Sequence, residues 1–150
     1  MADFQRNGAI SNAHVGREFE ILALKFFSNR GLELNENHSV DVGVNQLKKK
    51  HVFDLGSDKQ KIIIECKSHK WTSGNNVPSA KITVWNEAMY YFMLAPSGYR
   101  KIFFVLRDLR ASNNESLANY YIRRHKHMIP TDVEIWEYDL LKKEAFHLNA

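Results

Sequence analysis

Residues 51–71 read HVFDLGSDKQKIIIECKSHKW. Three consecutive isoleucines, Ile62 to Ile64, run directly into Glu65, Cys66 and Lys67. Successive strand residues point to opposite faces, so Ile63, Glu65 and Lys67 share one face and Ile62, Ile64 and Cys66 the other. Both faces are apolar before the charges begin, which predicts a central strand whose end opens to solvent. Upstream, Asp54 sits among Val52, Phe53 and Leu55 in a second strand entered from the basic run 48–50. The polar segment "SDKQ" between them is a tight turn, so the two strands form a β-hairpin. Pairing across that turn brings Asp54 near Glu65, with the register open by a residue or two.

Around this hairpin, residues 13–30 carry Val15, Phe19, Leu22 and Phe26 at helical spacing, and Gly31 follows as a stop. "LEL" and "VDVGV" alternate as strands do. Pro78 and Ser79 open a second helix with Ile82, Trp85, Ala88, Met89 and Phe92 in 3.6 period, ending at "APSG". "RKIFFVLRD" is a buried strand. "NNESLANYYIRRHKH" is a third helix, capped by Asn113 or Asn114 and broken by Pro130; "DVEIWEYD" is the final strand. The order predicts an α/β (α+β) fold with a central mixed sheet flanked by helices.

With 150 residues, 44% hydrophobic and 25% charged, the chain has the size and balance of one globular domain. A single cysteine excludes an internal disulfide and fits a reducing, cytoplasmic setting. The first ten residues lack the apolar core of a signal peptide, and no apolar run reaches a membrane span. The net charge of +4 leans toward a polyanionic partner. "HKH" at 125–127 lacks zinc-site spacing, and neither a phosphate-binding glycine loop nor a nucleophile elbow is present.

Two readings of the hairpin charges stand. Glu65 and Lys67 form an exposed ion pair at a strand end, with Asp54 a turn carboxylate. Alternatively, Asp54 and Glu65 converge, and carboxylates that converge repel unless a cation joins them. A hard, oxygen-seeking ion such as Mg²⁺ with a lysine alongside is the equipment of phosphodiester hydrolysis.

The stretch "FDLGSDKQKIIIECKS" resembles the core of the PD-(D/E)xK nucleases, the restriction-endonuclease-like superfamily: an Asp, a spacer, then (Asp/Glu)-x-Lys on the next strand. Here these are Asp54 and Glu65-Cys66-Lys67, with Phe53 in place of the proline that precedes the Asp in many members. "GREFE" at 16–20 is similar to the G-x-x-F-E signature of the first helix, which makes Glu20 the carried-over acid and Glu18 the alternative. The resemblance covers an αβββαβ core over about residues 15–108, with 109–150 a C-terminal addition. It implies catalytic Asp54, Glu65, Lys67 and Glu20. It implies Mg²⁺, replaceable by Mn²⁺, on Asp54, Glu65 and the Cys66 carbonyl, with no small-molecule cofactor. Cys66 itself reads as a small buried hydrophobe.

DNA is the implied partner, and cleavage of both strands implies a homodimer. Restriction or host defence is the leading role, with a Holliday-junction resolvase or repair nuclease as the alternative. The alternatives of other classes are a non-catalytic nucleic-acid-binding domain of the same fold and an unrelated α/β domain. Lys70, Asn76, Lys81, Lys49 and His69 are candidate phosphate contacts. Trp71 is a candidate base-stacking residue or a packing residue. Asn86 is a candidate polar group facing the site. The basic clusters 48–50, 99–101 and 123–127 either face solvent or together track a DNA backbone.

Overall fold

The structure, a computed structural model, describes the backbone of residues 2–150 and the side chains of residues 14–150. Its elements in chain order are α1 (Ala2–Ser28), β1 (Asn35–Val42), β2 (Lys49–Ser57), β3 (Ile62–Lys67), α2 (Ser79–Leu94), β4 (Arg100–Leu106), α3 (Leu117–His125), β5 (Val133–Asp139) and β6 (Glu144–His147). The strands form one sheet in the order β1-β2-β3-β4-β5-β6. Short connections make β1/β2, β2/β3 and β5/β6 antiparallel. The crossovers through α2 and α3 make β3/β4 and β4/β5 parallel. The fold is α+β, a mixed sheet with helices on both faces.

The two faces have separate cores. Phe19, Ala23 and Phe27, at i, i+4 and i+8 of α1, pack with Leu55, Ile62, Ile64, Cys66, Ile102 and Phe104. On the other face α2 and α3 lay Trp85, Phe92 and Tyr121 over Phe53, Ile63, Phe103 and Val105. β4 is therefore buried on both sides, as its unbroken apolar run requires. Each fully buried Phe or Ile contributes roughly 1.5–3 kcal/mol.

α1 ends in a Schellman turn: Leu32 N–H donates to the Phe27 carbonyl and Gly31 N–H to that of Ser28, each at 3.0 Å. Gly31 supplies the φ of +85° this requires.

Two expectations need correction. The cap of α3 is Ser116, whose hydroxyl accepts the Asn119 N–H at 3.1 Å; neither Asn113 nor Asn114 caps it. Asn114 is a left-handed turn residue with φ 56°, and Asn113 Oδ1 accepts the Glu115 N–H at 3.0 Å, so the helix starts later than its polar run suggests. The chain also ends in a further strand, β6, which pairs with β5 after a turn closed by Asp139 Oδ1 on Leu141 N–H at 2.9 Å.

The alternation of β2 slips at one place. Phe53 belongs to the α2 face and Leu55 to the α1 face, although residues two apart on a regular strand share a face. On β1, Asn37 lies between the pairs Glu36–Leu55 and His38–Phe53 and is itself left-handed, with φ 53°. Both strands turn over at this level, which is the level of Asp54.

Candidate active site

The slip coincides with a fork in the sheet. β2 pairs with β3 only from Leu55↔Ile64 to Ser57↔Ile62. Past that point β2 stays with β1, as far as Lys49↔Val42, and β3 stays with β4, as far as Lys67↔Val105. Backbone groups in the opening lose their ladder partners, and two carboxylates replace them. Glu65 Oε1 accepts the Asp54 N–H at 3.2 Å, and Asp54 Oδ2 accepts the Cys66 N–H at 2.8 Å. The hairpin register thus joins Asp54 and Glu65 in one opening. Glu65 Oε2 lies 3.6 Å from Lys67 Nζ, and both side chains are mostly buried.

The third acid comes from α1. Glu18 is exposed and pairs with His14 at 2.9 Å. Glu20 is half-buried and borders the cleft, within reach of the charge of Asp54. Burial, then the charge of Asp54, raises the Glu20 carboxyl above its ordinary range. Glu65 is pushed up to about 8, first by burial and then by Asp54, with Lys67 opposing. The acids crowd so closely that the site holds a proton near neutral pH. Arg17, which the sequence analysis passed over, reaches Glu20 at 3.6 Å and Glu36 at 2.6 Å, tying α1 to β1 beside the acids. Its i,i+3 spacing from Glu20 was the available signal.

Among the described residues, no three His, Cys, Asp or Glu side chains are spaced as a ready-made metal cage. The donor set still suits a hard cation that keeps most of its waters: two carboxylates side by side, each with one oxygen held by a backbone amide. The Cys66 side chain is buried under α1, and its thiol is raised well above its ordinary value by burial and the neighbouring acids.

A cleft of about 740 Å³ opens from this point, walled by Glu20, Lys67, His69, Lys70 and Lys81. Lys70 and Lys81 are exposed within it. Lys49 lies elsewhere, beside a separate hollow of about 470 Å³ with Lys50, His51 and Tyr90. Asn76 is exposed in the loop after β3, where its main chain closes a turn with Thr72. Asn86 Oδ1 accepts the Tyr121 hydroxyl at 2.8 Å and ties α2 to α3.

Trp71 is a packing residue in this arrangement. Its buried indole N–H is shared between the carbonyls of Asp108 and Glu115 at 3.0 and 3.1 Å, and Arg110 covers the ring at 4.6 Å. Although Trp71 borders the cleft, only 7% of it is exposed, too little for a base to stack on.

The three basic clusters are not equivalent. Arg100 forks onto Glu134 at 2.6 and 3.0 Å, and Lys101 is buried against Asp132 at 2.8 Å. Arg123 forks onto Glu115 at 2.8 and 3.0 Å. The first pair of contacts joins β4 to the start of β5, and the second holds Arg123 to the turn before α3; residues 48–50 and Arg124, Lys126 and His127 remain exposed.

The assembly is an acid-rich fork in a mixed sheet, with a lysine beside it and a basic cleft in front. Compared with protein-family models, curated proteins and solved structures, the chain matches none. Among the described residues no helix is long and apolar enough to cross a membrane.

Proposed function

We propose that this chain is a Mg²⁺-dependent DNA endonuclease of the restriction-endonuclease-like type, hydrolysing phosphodiester bonds. The observation that carries the reading is the fork: across it the Glu65 carboxylate accepts the Asp54 N–H and the Asp54 carboxylate the Cys66 N–H, with Lys67 Nζ 3.6 Å from Glu65 Oε2. Asp54, Glu65 and the Cys66 carbonyl would hold the ion, and Mn²⁺ would substitute. Bound there, Mg²⁺ supplies Lewis-acid neutralisation of charge on the phosphoryl oxygens. Lys67 places its ammonium where a water and a non-bridging phosphate oxygen meet, orienting the first and offsetting charge on the second. Glu20 closes the acid cluster from α1, and Lys70 and Lys81 neutralise flanking phosphates along the cleft.

The expected biological role is restriction or host defence, with junction resolution or repair as the alternative. A homodimer would present two such sites to the two strands. A DNA-binding domain without catalysis is the second reading, favoured by the exposed Lys70 and Lys81 along the cleft. It predicts binding that falls steeply with salt and ignores metal.

The deciding experiment is plasmid nicking with and without Mg²⁺, wild type against Lys67→Ala. Metal-dependent nicking should fall by at least about 100-fold in the variant, the scale on which one charge-stabilising group acts. No nicking of supercoiled, single-stranded or branched DNA by wild type in Mg²⁺ or Mn²⁺ would overturn the reading. Equal nicking by wild type and variant would do the same.

A further inference from the structure

One member of the cleft wall is fixed in an unusual way. The indole N–H of Trp85, fully buried on α2, donates to His69 Nδ1 at 2.8 Å. Trp85 is wedged edge-on against Phe103 and Tyr121, with ring centroids 5.3 and 5.2 Å away, so its N–H cannot be aimed elsewhere. An indole N–H only donates, so Nδ1 must present its lone pair, and the ring proton of His69 must sit on Nε2. A second proton on Nδ1 would set two N–H groups head to head. The surroundings add to this: burial first, then Lys67 on β3 and Lys81 on α2, hold the imidazole down to about 4. Lys70 in the following loop and Glu20 on α1 complete the charged groups of the cleft. His69 lines the cleft, its Nε2 is not among the buried polar atoms, and no described residue accepts its proton.

We infer that His69 is a neutral hydrogen-bond donor, locked in one tautomer by Trp85, for a phosphodiester oxygen of a DNA backbone lying in the cleft. Lys81 and Lys70 supply the charge at this subsite; His69 supplies direction. A neutral donor adds a hydrogen bond without a further cation among three lysines, and its donor state does not change across the pH range where an ordinary histidine titrates. Only the identity of the ligand rests on the nuclease reading.

The test is anisotropy of a short labelled DNA duplex in EDTA, from pH 5.5 to 8.5, with circular dichroism to confirm folding. His69→Ala should weaken binding about tenfold, the scale of one hydrogen bond to a charged acceptor. His69→Gln, which keeps an N–H donor, should recover most of it. The ratio of wild-type to His69→Ala affinity should be flat with pH. Ring-nitrogen NMR shifts of His69 should report its proton on Nε2 alone throughout this pH range, as the Trp85 N–H on Nδ1 requires.

Equal binding by wild type and His69→Ala overturns the inference. So does a His69→Gln variant no better than His69→Ala, or a His69 ring that carries its proton on Nδ1. Binding that depends on His69, in a protein that never nicks DNA, sinks the hydrolase reading and leaves this one standing. Metal-dependent nicking together with His69→Ala binding equal to wild type does the reverse.

Discussion

Glu65 concentrates the electrostatic cost of the site. Its carboxyl is pushed up to about 8 in the folded protein against an ordinary value of 4.5. Between those values the folded chain keeps a proton that the unfolded chain gives up, so stability falls as pH rises and levels off above about 8. Thermal unfolding in EDTA should therefore show a Tm decline from pH 5 to 8.5 that Glu65→Gln lacks, and Mg²⁺ should raise the wild-type Tm most at the upper end. Parallel wild-type and Glu65→Gln curves would mean that Glu65 does not carry this proton. At the same scale, Glu20→Gln should slow nicking by tenfold or more, while Glu18→Gln, altering an exposed His14 partner, should leave it unchanged. The i,i+2 spacing of Glu65 and Lys67 and the hairpin made this cluster legible in the sequence. The orientation of Asp54 was not: alternation puts Phe53 and Leu55 on one face, and only the turn-over at Asn37 and Asp54 directs that carboxylate into the gap.

Elements that bury a long periodic stripe could be read directly. α2 and β4 bury the residues that a period of 3.6 or an unbroken run predicts. The first helix, expected over 13–30, instead runs from Ala2 to Ser28 and buries Phe19, Ala23 and Phe27; of the expected stripe, Val15 is exposed and Leu22 and Phe26 are half-buried. β6 was missed because four residues, Glu144–His147, are too few to display alternation, and its partner β5 is what holds it. The α3 cap was missed because Asn113, Asn114 and Ser116 are all competent cap residues, and the turn before the helix chooses among them. Ser116→Ala should cost about 1 kcal/mol in urea unfolding, and Asn113→Ala less. Gly56 is a sharper case. A Cβ there would come within 2.6 Å of the His38 ring and 2.9 Å of its Cβ, so β1 and β2 would be pushed apart. Gly56→Ala should lose roughly 1–3 kcal/mol and, because Gly56 lies two residues from Asp54, should weaken Mg²⁺ stabilisation as well. Stability and metal response equal to wild type would show that the strands can separate at no cost.

Across the whole molecule, binding surface and scaffold divide differently from what residue types suggest. Trp71, Arg100, Lys101 and Arg123 look like nucleic-acid contacts by composition, yet Trp71 ties the loop after β3 to the segment before α3, Arg100 and Lys101 tie β4 to the start of β5, and Arg123 holds Glu115. Trp71→Ala should therefore cost about 3–5 kcal/mol in unfolding, the price of a large cavity, with DNA affinity of the folded fraction little changed. A stable Trp71→Ala protein that no longer binds DNA would reverse the assignment. The two-sided core has a further consequence. The chain's single sulfhydryl, Cys66, lies beneath the first helix with Phe19 and Phe104 around it. Cys66 borders the cleft yet is only 7% exposed, so the rate at which an alkylating reagent labels it under native conditions tells how often the packing of the first helix over it loosens.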